Sequence, residues 1–227
     1  MIDVHFLRHF PFFEHLGEDE LTEIAPLFIT RKYEKGANVF FEEEEGDELY
    51  IIKSGVVKIY RDDNAREIIL AIFREGDFFG EMAVLQNEQV RSASARTLEQ
   101  STLYVLKRFD FISLLNRSPD IFIKILETAL DRLRRANELI TDLTILDART
   151  RIVRMILRLT ENHGLQNKEG LLIDLKLTHQ QMADMTGTVR ETVTKILLDL
   201  QNQQLIRIDK KKIIICNING LRHLIEP

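Results

Sequence analysis

Two segments of the sequence hold side chains whose types and spacing could do chemistry. The first, THQQMADMTGTVRETVTK, begins at Thr178 and contains two candidate helix starts on either side of Gly187. Thr178 is followed three residues later by Gln181, and Thr188 by Glu191. This is the spacing of a capping box, in which the hydroxyl accepts from an amide of the first turn and the later side chain accepts from the N-cap amide. Because a glycine suits the tight turn between them, the segment predicts a helix-turn-helix.

The second of these helices predicts a surface that could contact DNA. Its apolar residues recur at helical spacing and would face the core: Val193, Ile196, Leu197 and Leu200. Arg190, Glu191 and Lys195 then lie off that stripe. Arginine can donate to both acceptors of guanine, a carboxylate accepts from the amino group of cytosine, and lysine binds guanine or phosphate. The alternative is an ordinary helical hairpin with a solvated charged face.

The second segment could bind a phosphorylated sugar. It reads FGEMAVL from Phe79, and RSA follows at Arg91. Gly80 would let the backbone approach a ligand closely, and a short helix starting near Glu81 would direct free amides at an anion. Arg91 can donate two hydrogen bonds to a phosphate, Ser92 adds a hydroxyl, and Glu81 can accept from a ribose hydroxyl. A Glu–Arg ion pair that closes a loop is the alternative.

Length and composition fit one large or two modest globular domains, because the chain has 227 residues and 44% of them are hydrophobic. No apolar run approaches the length of a membrane span, and residues 1–6 lack the basic start of a signal peptide. We therefore expect a cytoplasmic protein with no membrane partner. The single cysteine, Cys216, excludes an intramolecular disulfide and cannot by itself hold zinc or an iron–sulfur cluster.

Charge is distributed unevenly along the chain. Residues 148–227 carry 13 lysines and arginines against 8 acidic residues, whereas residues 1–147 carry 18 against 28. The basic C-terminal part would be attracted to phosphate and the acidic part repelled. The acidic overall balance therefore does not argue against DNA binding.

In the N-terminal part, short predicted strands alternate with turns, which is typical of a small antiparallel barrel or roll. Its predicted strands are Val39–Phe41, Leu49–Ile52, Val56–Tyr60, Ile68–Phe73 and Leu103–Leu106. A short amphipathic helix is predicted before them, over Glu18–Phe28. We interpret the acidic run Glu42–Glu45 as a solvated loop, or as charges that keep an edge strand from pairing with another chain.

From about Pro119 the pattern changes to one long helix. Its apolar positions alternate in steps of four and three: Phe122, Leu126, Ala129, Leu133, Ala136, Ile140 and Leu143. This is a heptad seam. Because helix-turn-helix regulators bind DNA with two-fold symmetry, we interpret the seam as the interface of a parallel homodimer. The alternative is an amphipathic helix that packs on the barrel of its own chain.

The order of these parts resembles the cyclic AMP receptor and FNR family of bacterial transcription regulators over essentially the entire chain. The resemblance implies an α+β fold with an N-terminal antiparallel β-roll of the cyclic-nucleotide-binding kind, a long dimerisation helix and a C-terminal winged helix-turn-helix. We place the sensor roll with its flanking helices at residues 1–118, the dimerisation helix and hinge at 119–147, and the DNA-binding domain at 148–227.

The resemblance implies a binding site for a cyclic nucleotide. The matching cassette, with Met82 inside it, consists of Gly80, Glu81, Met82, Arg91, Ser92 and Ala93. Family members that respond to cyclic AMP grip adenine with a Thr-Ser pair, where this chain has Ala136 and Asn137. Asn137 can hydrogen-bond adenine, whereas Ala136 has neither donor nor acceptor. Cyclic AMP or another cyclic nucleotide is therefore the expected cofactor, while a non-nucleotide effector and an empty cassette stay open.

Other sensing branches of the family depend on cysteine ligands or on axial haem ligands, which can be compared with this sequence. The iron–sulfur branch uses several cysteines, and the haem branch uses axial ligands. The histidines before the long helix are His5, His9 and His15, which we interpret as surface or packing residues. No metal, haem or iron–sulfur cluster is expected.

The resemblance also assigns DNA contacts. In the cyclic AMP receptor type, an Arg-Glu pair opens the recognition helix and a basic residue follows one turn later, which here are Arg190, Glu191 and Lys195. The implied half-site resembles TGTGA, although Lys195 lacks the bidentate fork of the usual arginine. The remaining contact positions are His179 and Thr188, expected near phosphate, together with Val189 and Thr192. A wing of strands Leu205–Ile208 and Ile213–Cys216, with Lys210, Lys211 and Lys212 at its tip, would add phosphate contacts.

The sequence thus predicts a homodimeric, effector-gated transcription regulator that binds a palindromic operator in double-stranded DNA. Ligand in the roll would bias the dimer helices and a hinge near Asp147, which would set two recognition helices roughly 34 Å apart. RNA polymerase is a candidate partner through the loop His163–Gly170, and repression is equally open. No nucleophile–base set indicates an enzyme. A nucleotide-binding module that acts on a protein partner is the rival function.

Overall fold

A computed structural model of the chain describes residues 4–8, 10, 12–63, 66–167 and 170–225. The chain divides into two compact units, residues 1–133 and 134–227. His9, the start of the N-terminal segment and residues 168–169 of the loop proposed to meet polymerase lie outside the described residues. Within the described ranges, no helix combines the length and the apolar character needed to cross a lipid bilayer.

The first unit holds two four-stranded antiparallel sheets among its described residues. Their strands are β1 (Phe28–Tyr33), β2 (Asn38–Phe40), β3 (Glu48–Ser54), β4 (Val57–Asp62), β5 (Glu67–Phe73), β6 (Phe78–Phe79), β7 (Ser94–Thr97) and β8 (Ser101–Lys107). The orders are β1-β8-β3-β6 and β2-β7-β4-β5. This confirms the predicted roll, to which the structure adds β1, β6 and β7.

Two buried clusters hold the first unit together. One contains side chains from both sheets: Tyr50, Ile52, Val57, Phe79, Ala95, Leu103 and Val105. The other packs the N-terminal aromatic residues Phe10, Phe12 and Phe13 against the outside of the β3 sheet. Phe12 and Phe78 make an edge-to-face contact with ring centroids 4.4 Å apart. The short segment that carries the cassette therefore lies between two cores and is held in place from both sides.

Short helices flank the roll: α1 (Val4–Arg8), α2 (Glu18–Ile24), α3 (Glu81–Leu85) and α4 (Arg108–Arg117). The helix predicted over Glu18–Phe28 was too long at its C-terminal end. It stops at Ile24, a 3₁₀ turn follows over Ala25–Leu27, and Phe28 begins β1. Pro26 explains the early end, because proline has no N–H to continue the helix and its ring clashes with the preceding turn.

The predicted long helix is α5, Pro119–Ile145, which runs from the first unit into the second. Its core-facing residues near the N-terminal end, Ile121 and Ile125, are buried. The seam residues are not: Phe122 is 48% exposed, Leu126 47% and Leu133 57%. These three seam residues are therefore only partly covered within the first unit.

The second unit continues with α6 (Ala148–His163), β9 (Gly164–Asn167), β10 (Gly170–Ile173), α7 (His179–Thr186), α8 (Arg190–Asn202), β11 (Ile206–Asp209), β12 (Lys212–Ile215) and α9 (Ile218–His223). The strands form one sheet in the order β11-β12-β10-β9. The predicted wing strands are present, each shifted by one residue. The segment His163–Gly170, predicted as a loop, contains β9, because its residues pair with β10.

Candidate effector pocket and DNA-reading surface

The pocket in the roll begins at Gly80, the N-cap of α3. Gly80 has a φ of 86°, in the left-handed region that favours glycine. A Cβ placed there would lie 2.7 Å from Nη1 of Arg91 and 3.0 Å from the carbonyl oxygen of Glu48. The glycine therefore allows the backbone to turn and Arg91 to lie directly against it.

Arg91 is buried, with 4% of its surface exposed. Its Nη1 donates to the Gly80 carbonyl at 3.0 Å and its Nη2 to the Glu48 carbonyl at 2.9 Å. The guanidinium carbon lies 4.2 Å from the centroid of the Phe40 ring, a cation–π contact. Nε is buried and has no hydrogen-bond partner among the described residues. Burial lowers the pKa of Arg91, because desolvation penalises the charged form.

Six of the seven predicted ligand residues line one cavity of about 180 Å³: Gly80, Glu81, Met82, Arg91, Ser92 and Ala93. Its opposite wall is apolar and includes Phe40, Leu70 and Phe73. Ser92 is exposed at its edge, where Oγ lies 3.4 Å from Sδ of Met82. Asn137, the seventh, lies in the second unit, so its part in the site stays a prediction.

Sequence reasoning did not assign Arg132 to this cavity. Its Nη1 lies 2.9 Å from Oε1 of Glu81, and its Nη2 donates to the Phe78 carbonyl at 2.5 Å. The guanidinium stacks on the rings of Phe73 and Phe78, with 4.4 Å to each centroid. The Glu–Arg pair that closes a loop is therefore not Glu81 with Arg91. Residues 81 and 132 are too far apart in sequence for spacing to reveal their contact.

A buried carboxylate supports the strand beneath the cavity. Glu48, whose backbone carbonyl binds Arg91, directs its own side chain to Arg31, Lys107 and Tyr50. Burial alone would raise the pKa of Glu48, but hydrogen bonds from these three groups outweigh it and lower the pKa to about 2. Burial, and then the hydrogen bond to this carboxylate, raise the pKa of Tyr50. Charge-assisted hydrogen bonds thus fix β3, the strand whose Glu48 carbonyl accepts from Arg91.

The first helix of the helix-turn-helix begins as the sequence predicts. The Thr178 hydroxyl accepts from the Gln181 amide at 3.1 Å, and the Gln181 side chain accepts from the Thr178 amide at 2.8 Å. Gly187 ends α7 in the left-handed conformation, with φ 61°. The capping box and the glycine turn are therefore confirmed.

The second predicted capping box, Thr188 with Glu191, does not form. The Thr188 amide instead donates to the Ala183 carbonyl at 3.1 Å, which completes a Schellman closure of α7. The recognition helix then starts two residues later, at Arg190, with Val189 as an N-cap that makes no side-chain bond. Thr188 belongs to the end of the first helix because its amide is already used there.

The recognition helix α8 presents the expected faces. Val193, Ile196, Leu197 and Leu200 are buried. The exposed residues on its first turns are Val189, Arg190, Glu191 and Lys195, while Thr188 and Thr192 are half-buried. The three charged residues assigned to DNA are therefore all accessible.

His179 connects α7 to the recognition helix. Its Nδ1 lies 2.8 Å from Oγ1 of Thr194, and that hydroxyl donates its only proton to the Arg190 carbonyl at 2.9 Å. Nδ1 must therefore be the donor, which leaves Nε2 for another partner. The contact fixes His179 beside the first turn of α8.

The wing ends in a two-residue turn, Lys210–Lys211. Both residues have positive φ, 47° and 67°, as in a type I′ hairpin. Their side chains are exposed. Lys212, the third residue of the predicted basic tip, belongs to β12 and pairs with Asp174. The tip therefore offers two lysines, because the third is drawn into an ion pair on the sheet.

Comparison with known proteins gives matches in both parts of the chain. A cyclic nucleotide-binding domain matches residues 30–118, and a Crp-like helix-turn-helix domain matches residues 150–224. The CRP-like cAMP-activated global transcriptional regulator of Mycobacterium tuberculosis is 34% identical over 190 residues, which cover 83% of this chain and 84% of that protein. The chain belongs to the cyclic AMP receptor and FNR family of transcription regulators.

Further relatives agree with this assignment. The Cyclic AMP receptor protein of Thermus thermophilus is 31% identical over 199 residues, covering 87% of this chain and 88% of that protein. A solved structure of the c-di-GMP responsive global regulator CLP of Xanthomonas campestris has the same fold, with a TM-score of 0.75 and 25% identity over 88% of this chain and 99% of that one. Members of this family bind DNA through the helix-turn-helix and act as dimers.

Proposed function

We propose that this family member is a homodimer that binds a DNA palindrome with TGTGA-like half-sites when an anionic effector occupies the cavity of the roll. The observation that carries the proposal is Arg91. It is a buried cation that lines an open cavity, and no carboxylate among the described residues forms an ion pair with it. A buried charge without an opposite charge is costly, and a bound anion supplies one.

The cavity supports a cyclic nucleotide as the effector. Arg91 and the amides at the start of α3 suit a phosphate, Glu81 can accept from a ribose hydroxyl, and the apolar wall suits a base. The names of two relatives give different effectors. The Mycobacterium tuberculosis protein is named for cyclic AMP and the Xanthomonas campestris protein for c-di-GMP. Cyclic AMP is our first candidate, with Asn137 as the residue proposed to contact its adenine.

Calorimetric titration with cyclic AMP, cyclic GMP and c-di-GMP tests this assignment. We expect one of them to bind the wild-type protein and to bind Arg91→Ala at least about tenfold more weakly, because a charge-assisted contact is lost. Arg61→Ala is the matched control, since Arg61 is 60% exposed and pairs with Glu42 away from the cavity. Equal affinity in wild type and Arg91→Ala would contradict the proposal, and so would the absence of binding by all three.

The proposed DNA contacts divide into base readers and phosphate contacts. Arg190 and Glu191 would bind guanine and cytosine in the major groove, and Lys195 would add a single charge to the next base or phosphate. The residues proposed to contact phosphate or flank the base readers are His179 through Nε2, Thr188, Val189, Thr192, Lys210 and Lys211. Anisotropy with a TGTGA palindrome and a scrambled duplex, with and without effector, measures both specificity and gating.

The exposed seam of α5 supports the homodimer. Phe122, Leu126, Leu133, Ile140 and Leu143 are each between 45% and 62% exposed. A stripe of this size would be covered by the same stripe of a second copy in a parallel coiled coil, in which Ala129 and Ala136 permit close approach. Leu133→Glu should give monomers in sedimentation, whereas Asp131→Glu, on the same helix but off the seam, should stay dimeric. A dimer that survives Leu133→Glu would place the interface elsewhere.

RNA polymerase is the partner we propose for the hairpin β9–β10. Leu165 is 51% exposed there and is therefore accessible to a partner protein. Leu165→Ser should lower transcription from a target promoter in vitro without changing DNA affinity. Unchanged transcription would contradict this contact with polymerase.

A further inference from the structure

His179, the first residue of α7, has one ring nitrogen engaged with the recognition helix. Its Nδ1 lies 2.8 Å from Oγ1 of Thr194 on α8. The Thr194 hydroxyl lies 2.9 Å from the Arg190 carbonyl, one turn earlier in the same helix, and donates its single proton there. The hydroxyl therefore meets Nδ1 as an acceptor, and Nδ1 carries a proton in the free protein.

This arrangement fixes the tautomer of neutral His179. A neutral imidazole carries one proton, so when Nδ1 holds it, Nε2 has a bare lone pair and can only accept a hydrogen bond. The oxygens of a DNA phosphate are acceptors as well. Neutral His179 therefore has no donor for the phosphate contact proposed for Nε2, and it makes that contact only after Nε2 takes up a proton.

Rotation of the Thr194 hydroxyl is the competing arrangement. If the hydroxyl donated to Nδ1, neutral His179 would carry its proton on Nε2 and could contact phosphate without a change of charge. That rotation gives up the bond to the Arg190 carbonyl. It also offers phosphate a neutral donor, whereas a hydrogen bond from imidazolium is charge-assisted and roughly twice as strong. Both considerations favour the protonated contact.

Charged and titratable groups on α7 and on the two helices that pack against it bear on the charge of His179. Those of α8 within one turn of Thr194 are exposed: Arg190, Glu191 and Lys195. Asp184 of α7 accepts from Gln180, and Lys176, before α7, is exposed. Those of α6 are Arg149, which pairs with Asp199, Arg151, which donates to the Thr186 carbonyl, Arg154 and Arg158, which pair with Asp142, the exposed Glu161 and the buried His163. In the described part of the chain no carboxylate is hydrogen-bonded to the His179 ring, so the negative charge that an imidazolium needs comes with the DNA.

We propose that Thr194 is a positioning residue for His179 and that each recognition helix-turn-helix takes up one proton at Nε2 of His179 when it binds DNA. The proton comes from water or buffer, and the imidazolium then donates to a phosphate oxygen. Because the bound state holds more protons than the free state, DNA affinity rises as pH falls. Histidine changes charge between about pH 5 and 8, so the effect lies near neutral pH. This inference rests on the proposed DNA-binding function.

Nitrogen-15 NMR of the imidazole ring in the full-length protein tests the tautomer without DNA. At pH 8, where histidine is mostly neutral, we expect the proton on Nδ1 in the wild type and in Thr194→Ser, which keeps the hydroxyl. Thr194→Val keeps the shape of the side chain and removes the hydroxyl, so the preference for Nδ1 should be lost. A wild-type proton on Nε2 would overturn the positioning role.

Anisotropy between about pH 6.5 and 8 tests the proton uptake. At about 50 mM salt a scrambled duplex can be measured beside the TGTGA palindrome, and both should respond alike, because a phosphate contact carries no sequence information. Log affinity of the wild type should fall by up to about 1 per pH unit for each half-site, and so by up to about 2 for a dimer. His179→Gln should lose most of this slope, since an amide donates without titrating. His15→Gln is the matched control: it removes a half-exposed histidine of the first unit and should keep the wild-type slope.

The Thr194 variants connect the two experiments. Thr194→Val should reduce the pH slope, because neutral His179 can then donate from Nε2, and Thr194→Ser should keep it; a merely structural role of Thr194 in α8 would not move the slope. Palindrome-specific binding with equal slopes in wild type and His179→Gln would refute the proton uptake and leave the proposed function standing. A wild-type slope on both duplexes without preference for the palindrome would instead refute the sequence-specific function and leave this inference standing.

Discussion

Replacing Lys210 and Lys211 by Asn and Gly should stabilise the second unit and weaken DNA binding at the same time. Both lysines are held at positive φ, 47° and 67°. An L-residue in this region costs roughly 1–2 kcal/mol, whereas glycine adopts it freely and asparagine at reduced cost. We therefore expect the free energy of unfolding to rise by about 1–3 kcal/mol in Lys210→Asn/Lys211→Gly.

The loss in DNA binding should appear in its salt dependence. Each phosphate contact contributes about 0.9 to the slope of log affinity against log salt, so two lysines contribute roughly 1.8 per wing and roughly 3.6 in a dimer. Anisotropy between about 50 and 200 mM salt covers the range in which such a slope is measured. The variant should lose affinity equally on specific and scrambled DNA, because phosphate contacts carry no sequence information.

Lys210→Ala/Lys211→Ala separates the two effects. Alanine removes the same charges but keeps the cost of positive φ, so this variant should show the reduced salt slope without the gain in stability. Urea unfolding followed by circular dichroism compares the two variants. If the Asn/Gly and Ala/Ala variants were equally stable, positive φ at Lys210 and Lys211 would carry no cost, and the argument for backbone strain at the wing would be refuted.

Three further outcomes are expected. Arg190→Ala should cost about 1–3 kcal/mol at one base pair of the half-site and relax the preference there, as measured against single-base variants of the operator; a uniform loss across all sequences would contradict base reading. The pKa of Glu48 is about 2, below its ordinary 4.5, so its ionised form should contribute on the order of 3 kcal/mol to the free energy of unfolding at pH 7. This contribution is lost as pH falls from about 5 toward 2. Glu48→Gln should therefore be less stable at pH 7, and its free energy of unfolding in urea should change less with pH across that window. Thr178→Ala should lower the free energy of unfolding by about 1 kcal/mol and Thr188→Ala by clearly less, since only Thr178 caps a helix through its side chain. Equal losses in the two variants would indicate that Thr188 also forms a capping box.

Local chemistry made the strongest features predictable from sequence. Capping, glycine turns and the heptad period act over a few residues, so Thr178, Gly187 and the extent of α5 were accessible to pattern reasoning. The same holds for the cassette, whose members lie within one turn, one short helix and the bend just before β7. The ligand and DNA roles of these residues stay predictions until they are measured.

The features that sequence reasoning missed depend on contacts between distant segments. Strand β1 reads FITRKY, and its charged residues hid an edge strand whose identity is set by pairing with β8. Arg132 reaches the cavity across 51 positions, and Asp174 draws Lys212 away from the tip across 38. Thr188 shows that correct spacing is not sufficient. It has the spacing of a capping box with Glu191, but its amide already donates to the end of the preceding helix.

If the proposed dimer forms through the exposed apolar seam of α5, the concentration of the protein becomes a second signal beside the effector. If the stripe is covered only by another copy of the chain, the fraction of assembled protein depends on how much of the protein is present, through ordinary mass action. The response of a promoter would then scale with the abundance of the regulator as well as with its effector. Titrating protein at fixed effector should therefore give a steeper curve than titrating a variant whose two copies are covalently joined.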